Sequence, residues 1–202
     1  MIYSSHLIDP VEDVVKKGEA NRKLIIDAAN KLFYEKGYNQ TAFSEVAEAS
    51  GIPKGNFYYY FKSKDELLDA VIDDRLDGIR QMLNDWEQEF NEPQQRLLRF
   101  AEIPLYEMDG VLRYGCPMGS LNVELGKTQL LLQSRAAEMF TLFLEWLQRQ
   151  FKTLKYDKTE SHNLALHMIS VLQGAVLMGN VYQDRSFVER EVAMVKEWIA
   201  QQ

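Results

Sequence analysis

The segment from residue 41 to residue 64, TAFSEVAEASGIPKGNFYYYFKSK, constrains the fold more than any other part of the chain. Apolar residues fall on one face of a predicted helix before Gly51, which accepts the left-handed backbone of a sharp turn. Pro53 follows at a position where a second helix can begin without losing a hydrogen bond. Phe57 and Phe61 are four residues apart and can pack the second helix against the first. Two short helices around a tight turn are typical of a helix-turn-helix.

Side chains that can donate hydrogen bonds to phosphates cluster on and after the second helix of this segment. They lie off its apolar face or at its end: Lys54, Gly55, Asn56, Tyr58, Tyr59, Lys62 and Lys64. We expect Lys54 and Gly55 to reach bases or the groove floor and the tyrosines and later lysines to hold phosphates. Thr41 is expected to cap the first helix and to contact a phosphate. The alternative is an ordinary solvated surface, but donors clustered beside the turn favour DNA binding.

The same residues resemble the DNA-binding domain of TetR/AcrR-type transcriptional regulators. The matching elements are Gly51-Ile52, Phe57-Tyr58-Tyr59-Tyr60-Phe61 and Lys62-Ser63-Lys64, with Leu32-Phe33 and Gly37-Tyr38 upstream. The resemblance covers roughly residues 20 to 70. It implies a transcriptional repressor that releases a palindromic operator when a small molecule binds the C-terminal domain. It also implies a twofold dimer and a long helix after residue 63 that couples ligand to DNA.

Composition indicates a folded globular protein with one basic end. The 202 residues are 46% hydrophobic and 26% charged, and the formal net charge is −7. Residues 16–64 carry +4 and the remainder −11, so one end attracts phosphate and the rest repels it. A single cysteine excludes an internal disulfide and fits a reducing compartment. The sequence has no signal peptide, and no apolar run approaches the length of about 18 residues that a membrane span needs. We therefore expect a cytoplasmic protein.

Apolar residues recur with the period of a helix along the whole chain, which predicts an all-α protein of about nine helices. Besides the helix-turn-helix and a short helix starting at Pro117, we expect helices over 19–36, 63–89, 94–109, 128–153, 160–182 and 186–200. Pro104 should kink the helix at 94–109 and Asp109-Gly110 should end it. The expected domains are an N-terminal extension (1–17), a three-helix DNA-binding domain (18–64) and a helical ligand-binding and dimerisation domain (65–202).

Bulky and soft side chains in the C-terminal domain predict a ligand pocket between its helices. The candidates are Tyr106, Cys116, Met118, Met139, Phe140, Phe143, Trp146, Met168 and Met178. Methionine packs adaptably around ligands, but a core rich in methionine and aromatic residues is more often only a core. That alternative stays open for each residue.

Two helices near the C-terminus carry the residues expected at a dimer interface. These are Gly174, Ala175, Met178, Gly179, Val188, Val192, Val195 and Ile199. Small residues permit close helix approach, and the resemblance implies a four-helix bundle between two copies of the chain. Either helix could instead complete the core of one chain. A dimer also suits a short recognition helix, because two copies read two half-sites.

Cys116 precedes Pro117 and is therefore expected at the N-terminus of a helix, where the helix dipole favours a thiolate. A thiol-based electrophile or redox sensor is the alternative function that follows. A small buried hydrophobe is the more common role of a lone cysteine, and it also stays open.

Motifs of enzymes are missing from the sequence, including GxGxxG, the Walker lysine, GxSxG and HExxH. His162 and His167 are five residues apart and point in different directions on a helix, which does not suit shared metal ligation. We therefore expect no enzymatic activity, no cofactor and no metal. The expected partners are a double-stranded DNA operator, a small-molecule effector and a second copy of the chain, with no membrane. An activator with the same fold, a protein-interaction module and an enzyme built on the pocket are the remaining alternatives.

Overall fold

A computed structural model describes residues 10–202, with side chains from residue 17 onward. Residues 10–202 form eleven helices and no strand, which confirms the predicted all-α fold. The helices are α1 (Pro10–Lys36), α2 (Phe43–Ala49), α3 (Lys54–Tyr60), α4 (Lys64–Glu89), α5 (Pro93–Ala101), α6 (Ile103–Tyr106), α7 (Met108–Tyr114), α8 (Pro117–Leu125), α9 (Leu130–Thr153), α10 (Lys158–Tyr182) and α11 (Arg185–Ile199). The chain divides into two compact units, of which the first ends at Val71 and the second is Ile72–Gln202.

The first unit is built on the apolar stripe of α1. Ile25, Ala29 and Phe33 are buried on this stripe, and Phe57 and Phe61 are buried at α3 and its C-terminal end. Helix α2 packs against both α1 and α3. These contacts produce the predicted three-helix arrangement that holds α3.

Two helix boundaries differ from the sequence-based expectation. Helix α1 begins at Pro10, so residues 10–17, expected to be a non-periodic extension, are helical. Residues 1–9 of that extension lie outside the described part of the chain. The helix expected over 94–109 is divided into α5, α6 and α7. Pro104 occupies the first turn of α6, where its missing N–H breaks no helical bond, so the chain starts a new helix instead of kinking an old one.

The end of this region also differs from the prediction. Asp109 and Gly110 lie inside α7 and do not terminate it. The chain turns instead at Gly115, whose φ of 77° lies in the left-handed region that favours glycine. Helix α8 then starts at Pro117, as predicted, with Cys116 as its N-cap.

The core of the second unit contains a layer of aromatic side chains. Phe100 of α5 makes an edge contact with Phe143 of α9, with ring centroids 5.1 Å apart. The Trp146 ring stacks on Phe100 at 6.1 Å and meets Trp86 of α4 at 6.0 Å. Helix α10 packs against α7, α9 and α11, and α8 packs against α9. The second unit is therefore one continuous core with α9 and α10 at its centre.

Most residues expected at a dimer interface belong to this core. Six of them are buried within a single chain: Ala175, Gly179, Val188, Val192, Val195 and Ile199. A Cβ at Gly179 would lie 2.8 Å from Cγ2 of Val188, so this glycine permits the close crossing of α10 and α11 within one chain. These six residues therefore pack in the core of their own chain, which leaves little of their surface for a second copy. Gly174 and Met178 are exposed.

Candidate nucleic-acid interface and ligand cavity

The turn between α2 and α3 fixes the orientation of α3. Gly51 adopts a φ of 68°, which is the left-handed backbone expected at this position. The Ser50 hydroxyl accepts a hydrogen bond from the N–H of Ile52 at 3.3 Å, and Ile52 is buried. Phe57 of α3 contacts Phe43 of α2, with ring centroids 5.0 Å apart. This packing holds one face of α3 and leaves the opposite face open.

The open face of α3 carries the predicted donors. Lys54, Gly55, Asn56, Tyr58 and Tyr59 are all exposed, and the Tyr59 side chain is 77% exposed. Within the described part of the chain, no carboxylate forms an ion pair with the Lys54 ammonium. The face thus presents an ammonium group, an amide and two phenol hydroxyls to solvent.

Lys62 is exposed just after α3, and its head group already has partners. Its Nζ donates to the backbone carbonyls of Tyr58 at 2.6 Å and Tyr59 at 3.2 Å. It also lies 5.6 Å from the centroid of the Tyr59 ring. An ammonium group has three N–H donors, so one is left for a phosphate.

Lys64 and Thr41 support the turn after α1. The Lys64 Nζ donates to the carbonyls of Tyr38 and Thr41, both at 3.0 Å, and lies 4.3 Å from the Tyr38 ring centroid. Thr41 is only 1% exposed, and its hydroxyl donates to the carbonyl of Gly37 at 2.7 Å. The buried Thr41 hydroxyl does not face solvent in this structure, which argues against the predicted phosphate contact.

The N-terminus of α2 is capped differently from the prediction. Helix α2 begins at Phe43 with Ala42 as N-cap, so Thr41 is not the cap. The N–H of Ala42 donates to the Glu45 carboxylate at 2.7 Å, and the Lys36 ammonium forms an ion pair with the same carboxylate at 3.0 Å. The hydrogen bond from Ala42, followed by the bond and charge of Lys36, lowers the pKa of Glu45.

The second unit contains an apolar cavity of about 150 Å³. It lies among α5 to α10 and is lined by Phe100, Ile103, Pro104, Glu107, Val111, Cys116, Pro117, Met118, Phe140, Phe143, Ile169, Leu172, Gln173 and Val176. Four of the residues predicted for a ligand pocket are in this lining: Cys116, Met118, Phe140 and Phe143. The prediction named Met168 and Met178 for α10, but the α10 residues that line the cavity are 169, 172, 173 and 176, which share one helical face.

Five predicted pocket residues do not line the cavity. Met139, Trp146 and Met168 are buried in the surrounding core, where the Trp146 ring stacks on Phe100, a residue that does line the cavity. Tyr106 and Met178 are exposed on the surface. A buried aromatic or methionine therefore identifies the core here, but not the part of the core that borders a void.

Cys116 lies at the boundary between the cavity and the surface. Its Sγ accepts a hydrogen bond from the N–H of Gly119 at 3.3 Å, at the start of α8. The partly buried Cys116 lines the inner cavity and also an outer groove that includes Ser120, Val123 and Leu177. The thiol is therefore reachable from the surface and from the cavity.

Helix α4 contacts the wall of the cavity. The Arg75 Nη1 donates to the carbonyl of Pro117 at 3.0 Å, and Pro117 lines the cavity directly after Cys116. Asp73, two residues earlier on α4, forms an ion pair with Arg135 of α9 at 2.6 Å. A displacement of the first turn of α8 would therefore change the hydrogen bond between Arg75 of α4 and the Pro117 carbonyl.

An apolar face of α10 is open to solvent. Its exposed residues are Leu166, Gly174, Leu177, Met178, Val181 and Tyr182, and Met194 is exposed on α11. By length and composition α10 could cross a membrane, but it packs against three other helices of the second unit. Contiguous exposed apolar side chains of this kind mark interaction surfaces.

The described residues include no group of three or more His, Cys, Asp or Glu side chains that could hold a metal ion.

Comparison with known families places both units among transcriptional regulators. Residues 25–71 match the family of bacterial regulatory proteins described as the tetR family. Residues 76–192, more than half of the chain, match the family described as transcriptional regulator LmrA/YxaF-like, C-terminal domain. The two matches leave only the ends of the chain and a few residues of α4 outside them.

Individual relatives extend over most of the chain. An HTH-type transcriptional regulator in the lacX 3'region of Lactococcus lactis subsp. lactis is 27% identical and aligns with 87% of this chain and 91% of its own length. The HTH-type transcriptional repressor DhaR of Mycobacterium sp. is 24% identical, with 87% and 90% covered. The crystal structure of a TetR transcriptional regulator from Legionella pneumophila is 26% identical, covers 98% of both chains and superposes with a TM-score of 0.76. The reduced form of NemR from E. coli, at 19% identity and a TM-score of 0.72, covers 88% of this chain and 96% of its own and shares the fold.

Proposed function

The chain belongs to the TetR family of bacterial transcriptional regulators, and from this we propose that it is a dimeric, cytoplasmic repressor whose operator binding is weakened by a small molecule. The observation that carries the proposal is the combination of two sites in one chain. One is the exposed donor face of α3, and the other is the apolar cavity whose wall contacts α4.

We assign operator recognition to α3. Lys54, Gly55 and Asn56 start the helix and are exposed, so they would reach base edges in a major groove. Tyr58, Tyr59 and Lys62 would hold the flanking phosphates. Thr41 and Lys64 would act mainly by fixing the turn after α1, because their polar groups already bind backbone carbonyls.

We assign dimerisation to the open apolar face of α10. Val181 and Tyr182 are each more than half exposed on this face, and Gly174 has no atom within 4 Å of the position of a Cβ. A second copy of the chain would bury these side chains and bring two α3 helices to two half-sites. Since α3 has seven residues, a single copy contacts too few base pairs for specific binding.

We propose that the cavity communicates with α4 through Pro117. A ligand bound against Cys116, Pro117 and Met118 favours one position of the first turn of α8. The hydrogen bond from Arg75 to the Pro117 carbonyl transfers that preference to α4. The ligand changes operator affinity only to the extent that it binds the two positions with different affinity.

The proposal is tested by selecting bound sites from a random duplex pool with purified protein at physiological salt. We expect an inverted repeat whose half-sites are about one helical turn, or a multiple of it, apart. A protein that is folded and dimeric but recovers no motif, with binding to all duplexes alike, would contradict sequence-specific repression.

A thiol-responsive regulator is a second candidate, and the position of Cys116 at both the cavity and the outer groove favours it. The test is operator affinity after treatment with a quinone or hypochlorite, in the wild type and in Cys116→Ser. A thiol sensor loses operator affinity only in the wild type. An unchanged affinity in the treated wild type would exclude this function.

A further inference from the structure

The lining of the cavity limits the charge and size of its ligand. Among the described residues that line it, none is basic, and Glu107 is the only charged one. A buried anion without a counter-charge is strongly unfavourable, so a carboxylate or phosphate ligand does not suit this site. A cavity volume of about 150 Å³ is the size that accommodates one benzene ring.

Besides the Glu107 carboxylate and the Cys116 thiol, the described lining offers one polar side chain that can orient such a ligand. Gln173 of α10 lines the cavity, and its side-chain amide forms no hydrogen bond with any described residue. An amide offers both donors and an acceptor, so it can bind a hydroxyl or an amine on the ligand. The remaining walls from α5, α9 and α10 are aromatic or aliphatic. The arrangement suits a ring with one polar substituent.

The same glutamine separates the cavity from the surface. Gln173, Cys116 and Val176 line both the inner cavity and the outer groove. A Cβ added at Gly119 would lie 3.0 Å from Oε1 of Gln173 and 3.3 Å from Cβ of Cys116. The absence of a side chain at Gly119 therefore leaves the Gln173 side chain room to move aside.

We propose that the effector is an uncharged molecule with a single ring and one hydrogen-bonding substituent, which enters past Gln173 and then binds its amide. The inference rests on the proposed function for its regulatory consequence. Binding itself is independent of DNA and is measured on the free protein.

Three probes of matched shape test the ligand class by titration calorimetry on the full chain: p-cresol, toluene and 4-methylbenzoate. We expect p-cresol to bind, toluene to bind about tenfold more weakly because it lacks the hydrogen bond, and 4-methylbenzoate not to bind. Binding of 4-methylbenzoate as tight as that of p-cresol, or no binding of p-cresol, would overturn the proposal.

Two variants locate the binding site. Gln173→Leu keeps the approximate size of the side chain, so it should reduce p-cresol affinity to that of toluene and leave toluene binding unchanged. Ile169→Phe should fill the cavity and abolish binding of p-cresol and toluene. The control Thr141→Phe adds the same ring at an exposed position of α9 and should still bind both probes. Thermal melts confirm that each variant is folded. Unchanged p-cresol affinity in folded Gln173→Leu would contradict the assigned contact.

Gly119→Ala tests the route of entry. Its Cβ restricts Gln173, so p-cresol should associate at least about fivefold more slowly in stopped-flow tryptophan fluorescence. An unchanged association rate would overturn this route. Operator binding is measured separately. If p-cresol binds the protein but does not weaken its binding to a selected operator, the proposed regulation is contradicted. If the protein binds a selected operator specifically but does not bind p-cresol, this ligand class is contradicted.

Discussion

Lys54 and Lys62 belong to one short segment but differ in what already binds their ammonium groups. Lys54 has no ion-pair partner in the described part of the chain, whereas Lys62 donates to the carbonyls of Tyr58 and Tyr59. We therefore expect Lys54 to be free to reach a base and Lys62 to be held in place for a phosphate. The two roles differ in their dependence on DNA sequence and on salt.

The corresponding prediction concerns Lys62→Ala and Lys54→Ala. Lys62→Ala should weaken binding to all duplexes alike and lower the salt slope by about 0.9, the contribution of one phosphate contact. Lys54→Ala should also relax sequence preference and lose about 1–3 kcal/mol on a selected operator. Fluorescence anisotropy on operator and scrambled duplexes at several salt concentrations measures both, with exposed Lys127→Ala in the second unit as control. Equal losses on both duplexes for Lys54→Ala would remove Lys54 from base recognition.

Gly179 gives a prediction about packing within one chain. Gly179→Ala places a Cβ 2.8 Å from Cγ2 of Val188 and 3.3 Å from Cδ2 of Leu112, so it should destabilise the fold by about 1–3 kcal/mol. The matched control is Gly78→Ala, an exposed position of α4 with no atom within 4 Å of the added Cβ. This change should stabilise by up to about 1 kcal/mol through helix propensity. Chemical denaturation distinguishes the two, and similar effects of both changes would contradict the close crossing of α10 and α11.

At the scale of the helices, α2 depends on a carboxylate for its N-terminus. Glu45 has a pKa below its ordinary value of 4.5, because Ala42 donates to it and Lys36 pairs with it. Because the pKa of Glu45 is lower in the folded than in the unfolded protein, its ionised carboxylate stabilises the fold at pH values above the unfolded-state pKa. This stabilisation is lost as the pH falls through the folded-state pKa. Glu45→Ala should therefore lower the melting temperature at pH 7 and have a smaller effect below pH 4.5. Thermal melts between pH 7 and pH 3 measure this difference for the wild type, for Glu45→Ala and for the exposed control Glu48→Ala. If the effect of Glu45→Ala does not change with pH, the prediction is refuted.

The sequence predicts helices well where one apolar face continues for many residues. The helices α4, α9, α10 and α11 begin and end within two residues of their predicted positions. The segment containing α5 to α7 was predicted as one helix, because the pattern does not show whether Pro104 kinks a helix or starts a new one. The cavity was predicted only in part for a related reason. Met139, Phe140, Phe143 and Trp146 share the broad apolar face of α9, and the crossing of neighbouring helices decides which of them border the void.

At the scale of the whole molecule, the sequence pattern was also insufficient to locate the surface for dimerisation. Hydrophobic patterning identified α10 and α11 as packing helices, but it did not distinguish the side facing the chain's own core from the side left open. The structure makes that distinction, since Val188 and Val192 are buried and Val181 is exposed. A second copy is therefore expected on the α10 face and not on the apolar stripe of α11.

Val181→Asp tests this assignment. A carboxylate on the apolar α10 face should shift the protein towards a monomer in analytical ultracentrifugation and abolish binding to an inverted repeat. Leu131 of α9 is 87% exposed and lies outside this face, so Leu131→Asp should remain dimeric and bind DNA. A Val181→Asp protein that sediments as a dimer would place the interface elsewhere.

The proposed communication from the cavity to DNA requires the entire molecule, and Arg75 provides its test. The Arg75 guanidinium donates to Pro117 at the cavity wall, so Arg75→Met should remove the link without altering the cavity lining or the DNA-binding helix. In the wild type we expect saturating p-cresol to lower operator affinity about 5–150-fold, the usual range of allosteric coupling. In Arg75→Met that change should fall below about twofold, although the free variant still binds the operator and still binds p-cresol. Arg80→Met on the same helix is the matched control, because exposed Arg80 pairs only with Asp77 in the described structure. If p-cresol weakens operator binding equally in both variants, the signal does not pass through the contact between Arg75 and Pro117.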